Sequence, residues 1–472
     1  MKILYASAEA YPFAMSGGLA DVAGALPKAL RRRLVGCRVV MPLYGSIPES
    51  FKAEMKFITS ITVPVAWRRQ YCGIFQARYN GVIYYLIDNQ YYFKREGLYG
   101  HYDDAERFAF FSRAVLEIIP YIDYNPDIIH CNDWQTAMVP VYLDRFYCHD
   151  PRYTNLKTVF TIHNIQYQGK FGYELISDVL GLDEDSTGLV EYDGCVNLMK
   201  AAIECAHMVT TVSPTYAKEI LTPEYSHGLH GILQKNQGKL CGIVNGIDTS
   251  VYDPENDGAL FAPYSADNPV DKAVNKAELQ KYVGLPERSD VPVIGIVSRL
   301  VQHKGFDLVK CVFEDILRAD VQFVILGSGD WEYETFFYEM GQRYQHKVAF
   351  KLGFIPDLAH KIYAGADMFL MPSKSEPCGL AQMIALRYGT IPIVRKTGGL
   401  NDTITDVSVS DGNGFVFCDY NAGSMLDAVW RAVGMYGDRA AWNNLKEHAL
   451  QIDNSWNVSA DSYIKLYKGL IS

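Results

Sequence analysis

Arg299 and Lys304 follow the apolar run Ile294–Val297 and precede Gly305. Two cations at a strand end can hold a phosphate, the arginine bidentately and the lysine as a point charge. Glu376 is placed in the same way, after the apolar run Met368–Pro372 and before Pro377, Cys378, Gly379 and Leu380. Pro377 presets a helix start there. The amides from Cys378 to Leu380 could meet a diphosphate or a sugar, and the Glu376 carboxylate could accept hydrogen bonds from sugar hydroxyls. In the first half, His163 ends the run Thr158–Ile162, and Asp133 follows Asp127–His130 through Cys131 and Asn132. A glycine pair, Gly17-Gly18, lies between strand-like Ile3–Ser7 and an apolar-periodic run at Leu19, Val22, Ala23, Leu26 and Leu30. Bare amides at the positive end of a helix favour an anionic ligand. The pair recurs as Thr397-Gly398-Gly399-Leu400-Asn401-Asp402. Each feature alone has an ordinary explanation as a surface cation, a capping carboxylate or a turn. Two Gly-Gly-Leu-x-Asp loops in opposite halves point to two similar halves serving one ligand.

These residues need elements that carry them to one rim. Strand-like runs at Ile3–Ser7, Arg38–Met41, Val82–Ile87, Asp127–His130, Thr158–Ile162, Met208–Val212 and Leu240–Val244 are interleaved with helix-like Ala20–Leu34, Asp104–Ile119, Gln135–Phe146, Leu198–Ala206 and Pro214–Leu221. The rhythm restarts with strands Pro292–Ser298, Gln322–Leu326, Val348–Leu352, Met368–Pro372 and Ile391–Val394, and helices Lys304–Leu317, Asp357–Ala364 and Gly379–Tyr388. Such alternation predicts an α/β fold with parallel sheets. Ligands then bind beyond the carboxyl ends of the strands, where the residues above lie. The stretch 67–102 reads as an excursion of hairpins and 167–192 as a long loop region. Asn245-Gly246-Ile247-Asp248 reads as a boundary or hinge, and helix Ala460–Leu470 has no strand before it.

The 472 residues predict two domains of over 200 residues each. A formal net charge of -10 argues against nucleic acid or an anionic membrane as partner, both of which need a basic footprint. No apolar run approaches the roughly 18 residues of a membrane span. The N-terminus does not read as a signal peptide, so a cytoplasmic protein is expected. The 10 cysteines include no Cys-x-x-Cys pair, and several, such as Cys131 and Cys241, fall in apolar runs. Buried reduced thiols are expected rather than a zinc site. The 33 tyrosines serve packing and are also suitable platforms for sugar rings.

Taken together, the motifs resemble the bacterial glycogen synthase and plant starch synthase family over essentially the whole chain. They are Ser16–Val22, His130–Trp134, Thr161–Asn164, Asn245–Asp248, Ser298–Leu300, His303–Asp307, Ser373–Gly379 and Thr397–Leu400. The resemblance implies the glycosyltransferase B architecture, with two Rossmann-like domains facing across a deep cleft. The implied domains are 1–242 on the acceptor side and 243–455 for the nucleotide sugar. A helix at 456–472 would pack back on the first domain. It implies retaining transfer of glucose from ADP-glucose to the non-reducing end of an α-1,4-glucan primer, with no cofactor and no metal. Under it, Arg299 and Lys304 hold the donor diphosphate, Glu376 orients the donor glucose and His163 lies near the reacting sugar. Asp133 is a cleft residue of open task. Met15, Gly17, Gly18, Asp21, Asn245, Phe354, Cys378, Gly379, Leu380, Thr397, Gly398 and Gly399 fall on the donor-binding side, the second glycine pair by offering backbone amides.

Two positions depart from the family pattern. Met15 stands where lysine is usual and cannot donate to a phosphate. Phe354 stands where tyrosine is common and keeps the ring without the hydroxyl. Two alternatives to an active synthase therefore stay open: a catalytically weakened glucan-binding relative, and a related retaining transferase with another acceptor. A phosphorylase would need a pyridoxal-bearing lysine, which nothing marks. A nicotinamide enzyme would need Gly-x-Gly-x-x-Gly after the first strand.

Overall fold

In the computed structural model, which describes Met1–Ser472, contacts divide the chain into two units. Unit 1 comprises Met1–Asn245 and Trp456–Ser472, and unit 2 comprises Gly246–Ser455.

In unit 1 the strands are β1 (Lys2–Ala6), β2 (Gly36–Pro42), β3 (Lys56–Val65), β4 (Arg68–Tyr79), β5 (Val82–Asp88), β6 (Ile128–Asn132), β7 (Lys157–Ile162), β8 (Met208–Thr211) and β9 (Leu240–Gly242). They form one sheet in the order β9-β8-β7-β6-β1-β2-β5-β4-β3. All pairings are parallel except the edge hairpin, where β4 runs antiparallel to β3 and β5. The expected hairpin excursion therefore begins earlier, at Lys56, and Val82–Asp88 belongs to the parallel sheet. Helix α1 (Gly18–Arg32) buries Leu19, Val22, Ala23, Leu26 and Leu30, the stripe read from the sequence. Helix α2 spans Asp104–Glu117. The helix expected over Gln135–Phe146 is broken into a 3-10 turn (Trp134–Thr136), a short α-helix (Met138–Tyr142) and a π-helical turn (Leu143–Tyr147). Pro140 has no N–H to continue a ladder back to residue 136. The loop region 167–192 contributes Lys170–Phe171 and Glu191–Tyr192 to a small sheet whose central strand, Cys195–Asn197, lies just beyond it.

Unit 2 holds β10 (Val293–Val297), β11 (Gln322–Gly327), β12 (Val348–Leu352), β13 (Met368–Met371), β14 (Ile391–Arg395) and β15 (Phe415–Phe417). The order is β12-β11-β10-β13-β14-β15, parallel throughout. Helix α3 (Phe306–Leu317) buries Phe306, Val309, Phe313 and Ile316 in a core with Ile294, Ile296, Phe323 and Ile325. Each such side chain contributes about 1.5–3 kcal/mol of transfer free energy. Helices α4 (Ala381–Arg387) and α5 (Gly398–Thr403) follow β13 and β14, and α6 (Ala422–Gly437) covers the same core.

The last helix, α7 (Trp456–Ile471), belongs to unit 1 and packs along α1. Tyr467 Oη lies 2.6 Å from Nδ1 of the fully buried His130, and Arg33 Nη2 donates to Asp461 Oδ2 at 2.9 Å. All ten cysteines are free thiols. Cys37, Cys72, Cys131 and Cys378 are buried, whereas Cys148, Cys311 and Cys418 are exposed. No helix is long and apolar enough to cross a membrane.

Candidate active site

Each sheet reverses its winding once, and many of the predicted residues follow strands at or beside those reversals, whereas Asn245 and Phe354 follow the edge strands β9 and β12. In unit 1, β1 lies between β2 and β6, so the crevice opens beyond the ends of β1 and β6. The glycine loop follows β1, Asp133 follows β6, and His163 follows the neighbouring β7. In unit 2, β10 lies between β11 and β13. Arg299 and Lys304 follow β10, and Ser373–Leu380 follows β13.

In unit 2, Lys304 Nζ donates to Glu376 Oε2 at 2.6 Å, and Ser373 Oγ donates to the same oxygen at 3.0 Å. Glu376 is buried. The Lys374 amide donates to His303 O at 2.9 Å, joining the two loops by backbone as well. Arg395 Nη1 donates to Lys374 O at 2.6 Å, and Gln382 Nε2 donates to Cys378 O (3.1 Å) and Gly379 O (2.9 Å). Gln382 lies on the first turn of α4, which follows the capping Leu380. Thr397 is fully buried as the cap of α5. The Gly399 amide donates to Glu376 O and Pro377 O, each at 3.1 Å, so it is engaged within the protein. A Cβ at Gly398 would lie 1.9 Å from Glu376 O, and one at Gly399 would lie 2.1 Å from Cys378 O. The second glycine pair thus lets α5 seat directly against the loop that carries Glu376. Arg299 is exposed, and Phe354, on the loop after β12, is 76% exposed.

In unit 1, Asp133 sits at φ +55°, and its Oδ1 accepts from the His163 amide at 2.7 Å. The Asn164 amide also bonds to it, lowering its pKa, but burial dominates and pushes the carboxyl up to about 7. Asn132 Nδ2 donates to Ala6 O at 2.9 Å, which leaves Asn132 Oδ1 as an acceptor for Tyr5 Oη and His163 Nε2, both at 2.9 Å. His163 therefore carries its proton on Nε2, the tautomer this network assigns. Burial lowers its pKa to about 3, so the ring is neutral and Nδ1 keeps its lone pair. Such a nitrogen can accept a hydrogen bond from a sugar hydroxyl. Burial also raises Asp21, in the first turn of α1, to about 6.

The glycine loop differs from its counterpart. A Cβ at Gly17 or Gly18 would meet nothing within 4 Å, and Met15 is 51% exposed. The Ser16 amide donates to Glu9 Oε2 at 2.5 Å. Asn245, past β9, is buried with its Oδ1 unpartnered. Sequence reasoning passed over Glu9, Asn132, Ser373 and Gln382. Asn132 and Ser373 stood inside quoted motifs. Glu9 was visible as a carboxylate between an apolar strand and the glycine loop.

Residues 2–235 match the model of the starch synthase catalytic domain, and residues 278–447 match that of glycosyl transferases group 1. The glycogen synthase of Geobacillus thermodenitrificans is 52% identical over 475 residues, covering 100% of this chain and 98% of that protein. The chain belongs to the glycogen synthase family. The Bacillus cereus (strain ATCC 10987 / NRS 248) glycogen synthase is 51% identical, with 100% of both chains covered. The catalytic domain of starch synthase IV from Arabidopsis thaliana, bound to ADP and acarbose, superposes with a TM-score of 0.92 at 35% identity, covering 100% of this chain and 99% of that one. Sucrose-phosphate synthase from Thermosynechococcus elongatus, at 18% identity and a TM-score of 0.60, shares the fold. The architecture is thus of the glycosyltransferase B type, and the protein is a glycosyltransferase with glycogen or starch synthase function.

Proposed function

We propose that this glycogen synthase family member transfers glucose from ADP-glucose to the non-reducing end of an α-1,4-glucan with retention of configuration. The observation that carries this reading is the group at the unit 2 reversal: exposed Arg299, and Lys304 held against Glu376. In glycosyl transfer the sugar passes through an oxocarbenium-like state while negative charge builds on the leaving phosphate. Arg299 and Lys304 are positioned cations for that charge, and removing one preorganised donor of this kind costs about 10²–10³ in rate. Glu376 stays beside Lys304 as an acceptor for sugar hydroxyls. With two cations for the diphosphate, no divalent ion is assigned to the reaction. The departing phosphate can itself take the proton of the attacking hydroxyl, which yields retention without a protein nucleophile. The ADP of the starch synthase IV complex supports adenine as the base of the donor.

The test is extension of a glycogen primer by labelled ADP-glucose or UDP-glucose, with linkage analysis and with EDTA in a parallel reaction. ADP-glucose is expected to give α-1,4 extension, changed less than twofold by EDTA. Failure to extend from either donor would overturn the reading. It would favour the second one, a weakened glucan-binding relative, for which Met15 is the motivating residue.

A further inference from the structure

The segment between β1 and α1 closes on itself. Ser7 Oγ donates to Glu9 O at 2.6 Å, and Ala10 and Ala14 exchange backbone hydrogen bonds of 3.0 and 3.1 Å. The Tyr11 amide donates to Ala20 O at 3.0 Å, fastening the turn to α1. The chain thereby returns Ser16 to Glu9, whose carboxylate accepts from the Ser16 amide at 2.5 Å and is bonded by the Gly17 amide as well. Gly17 is the cap of α1 and has no side chain to cap with, while Glu9 is only 3% exposed. A buried carboxylate thus sits where the positive end of α1 would otherwise be open.

We propose that Glu9 is a positioning residue for substrate: its carboxylate holds Ser16 and Gly17 and so sets the conformation in which the glycine loop meets the donor. This rests on the transferase reading above. The grip depends on charge, because a carboxylate accepts more strongly than a carboxylic acid. Burial raises Glu9 to about 7 despite bonds from the Ser16 hydroxyl and from the Ser16 and Gly17 amides. The groups facing it are Asp21 on α1, Asp133 past β6, Tyr44 past β2, and Tyr99 ahead of α2. Both aspartates share its sign and oppose its ionisation. Lowering the pH through about 7 therefore protonates Glu9 and loosens the loop.

The experiment compares wild type, Glu9→Gln and Glu9→Ala. Glu9→Ala is expected to raise the KM for ADP-glucose at least tenfold with kcat within threefold. Glu9→Gln, which keeps a carbonyl acceptor at the same reach but carries no charge, should show the KM of protonated wild type at every pH, between that of wild type at pH 8 and that of Glu9→Ala. The wild-type KM should rise as pH falls through about 7, and Glu9→Gln should lack that limb. A role in folding alone would lower the melting temperature and leave KM unchanged, which overturns the proposal. So does a pH limb that persists unchanged in Glu9→Gln, since Asp21 and Asp133 remain there. Amide hydrogen exchange on wild type decides the matter without activity or mutation. Ser16 and Gly17 must be protected at pH 8 and lose at least tenfold protection, beyond the intrinsic change, at pH 6. Unprotected amides at pH 8 overturn the grip even in a protein that extends primer. A wild type that fails to extend primer sinks the transferase reading and leaves the exchange result to judge Glu9.

Discussion

Gly399→Ala tests whether the second glycine pair is a brace for the catalytic loop. An alanine Cβ at this position would lie 2.1 Å from Cys378 O, 2.5 Å from Cys378 Cα and 2.6 Å from Cys378 C. All three are backbone or Cα atoms, so no rotamer change can relieve the overlap. Reaching the 3.4 Å of ordinary contact needs a separation of 3.4 − 2.1, about 1.3 Å. That movement falls on a segment whose carbonyls at Glu376 and Pro377 receive the Gly399 amide. Glu376 is two residues from Cys378 and bonds to Lys304 at 2.6 Å, so a shift of that size takes the pair beyond hydrogen-bond distance. A misplacement of about 1 Å can cost 10²-fold in rate. We therefore expect kcat/KM for ADP-glucose to fall by about 10²-fold. Overpacking should cost only about 1–3 kcal/mol of stability, leaving the protein folded at 25 °C. The assay is ADP release with a glycogen primer, beside a thermal melt. Gly434→Ala serves as control, since a Cβ on that glycine of α6 meets nothing within 4 Å. A Gly399→Ala enzyme within threefold of wild type would refute the brace.

Three further outcomes are expected. Met15 is half-exposed, so Met15→Lys should change stability by less than about 0.5 kcal/mol. A new charge-assisted bond to the donor, at about 1.5–3 kcal/mol, should raise kcat/KM for ADP-glucose tenfold or more; a change under twofold would mean that Arg299 and Lys304 suffice. Asp133 has a folded pKa of about 7, above its unfolded value of 3.8, so its contribution to stability is fully present only below pH 3.8 and is lost as pH rises through 7. Asp133→Asn should therefore stabilise the protein at pH 8 relative to pH 5 by roughly 2–4 kcal/mol, read as the difference between denaturant curves; equal shifts at both pH values would contradict the assignment. Glu376→Gln keeps an acceptor for Lys304 but removes the charge. It should cost at least tenfold in kcat/KM with a small change in melting temperature, and a large melting shift without kinetic loss would make the pair structural.

The parts of the fold legible in the sequence were those whose buried face is apolar. The α1 stripe from Leu19 to Leu30 and the continuous runs of β10 and β13 repeat at the periods of their elements. Helix Lys272–Val283 was not legible, because its buried face includes Lys272, Asn275, Lys276 and Gln280. Those polar heads are satisfied by distant groups. Lys272 Nζ donates to Ala364 O and Thr390 Oγ1 at 2.8 Å each, and Lys276 pairs with Asp367 at 2.8 Å. No local pattern announces such partners. The site shows the same division. The placement of Arg299, Lys304, Glu376, Asp133 and His163 past strand ends was legible from the sequence. The support of His163 by Asn132, and of the Cys378–Gly379 carbonyls by Gln382, depends on where side chains point in space.

The two reversals share topology but differ in charge. The unit 2 reversal presents cations, Arg299 and Lys304, against a single carboxylate. The unit 1 reversal presents carboxyls, Glu9, Asp21 and Asp133, and a neutral His163. The leaving diphosphate gains negative charge and needs fixed cations, while the sugar ring gains positive charge and needs acceptors nearby. Burial raises all three, Glu9 and Asp133 to about 7 and Asp21 to about 6. That desolvation makes these carboxyls costly to fold, and the amides of Ser16 and Gly17 on Glu9, and of His163 and Asn164 on Asp133, offset part of the cost.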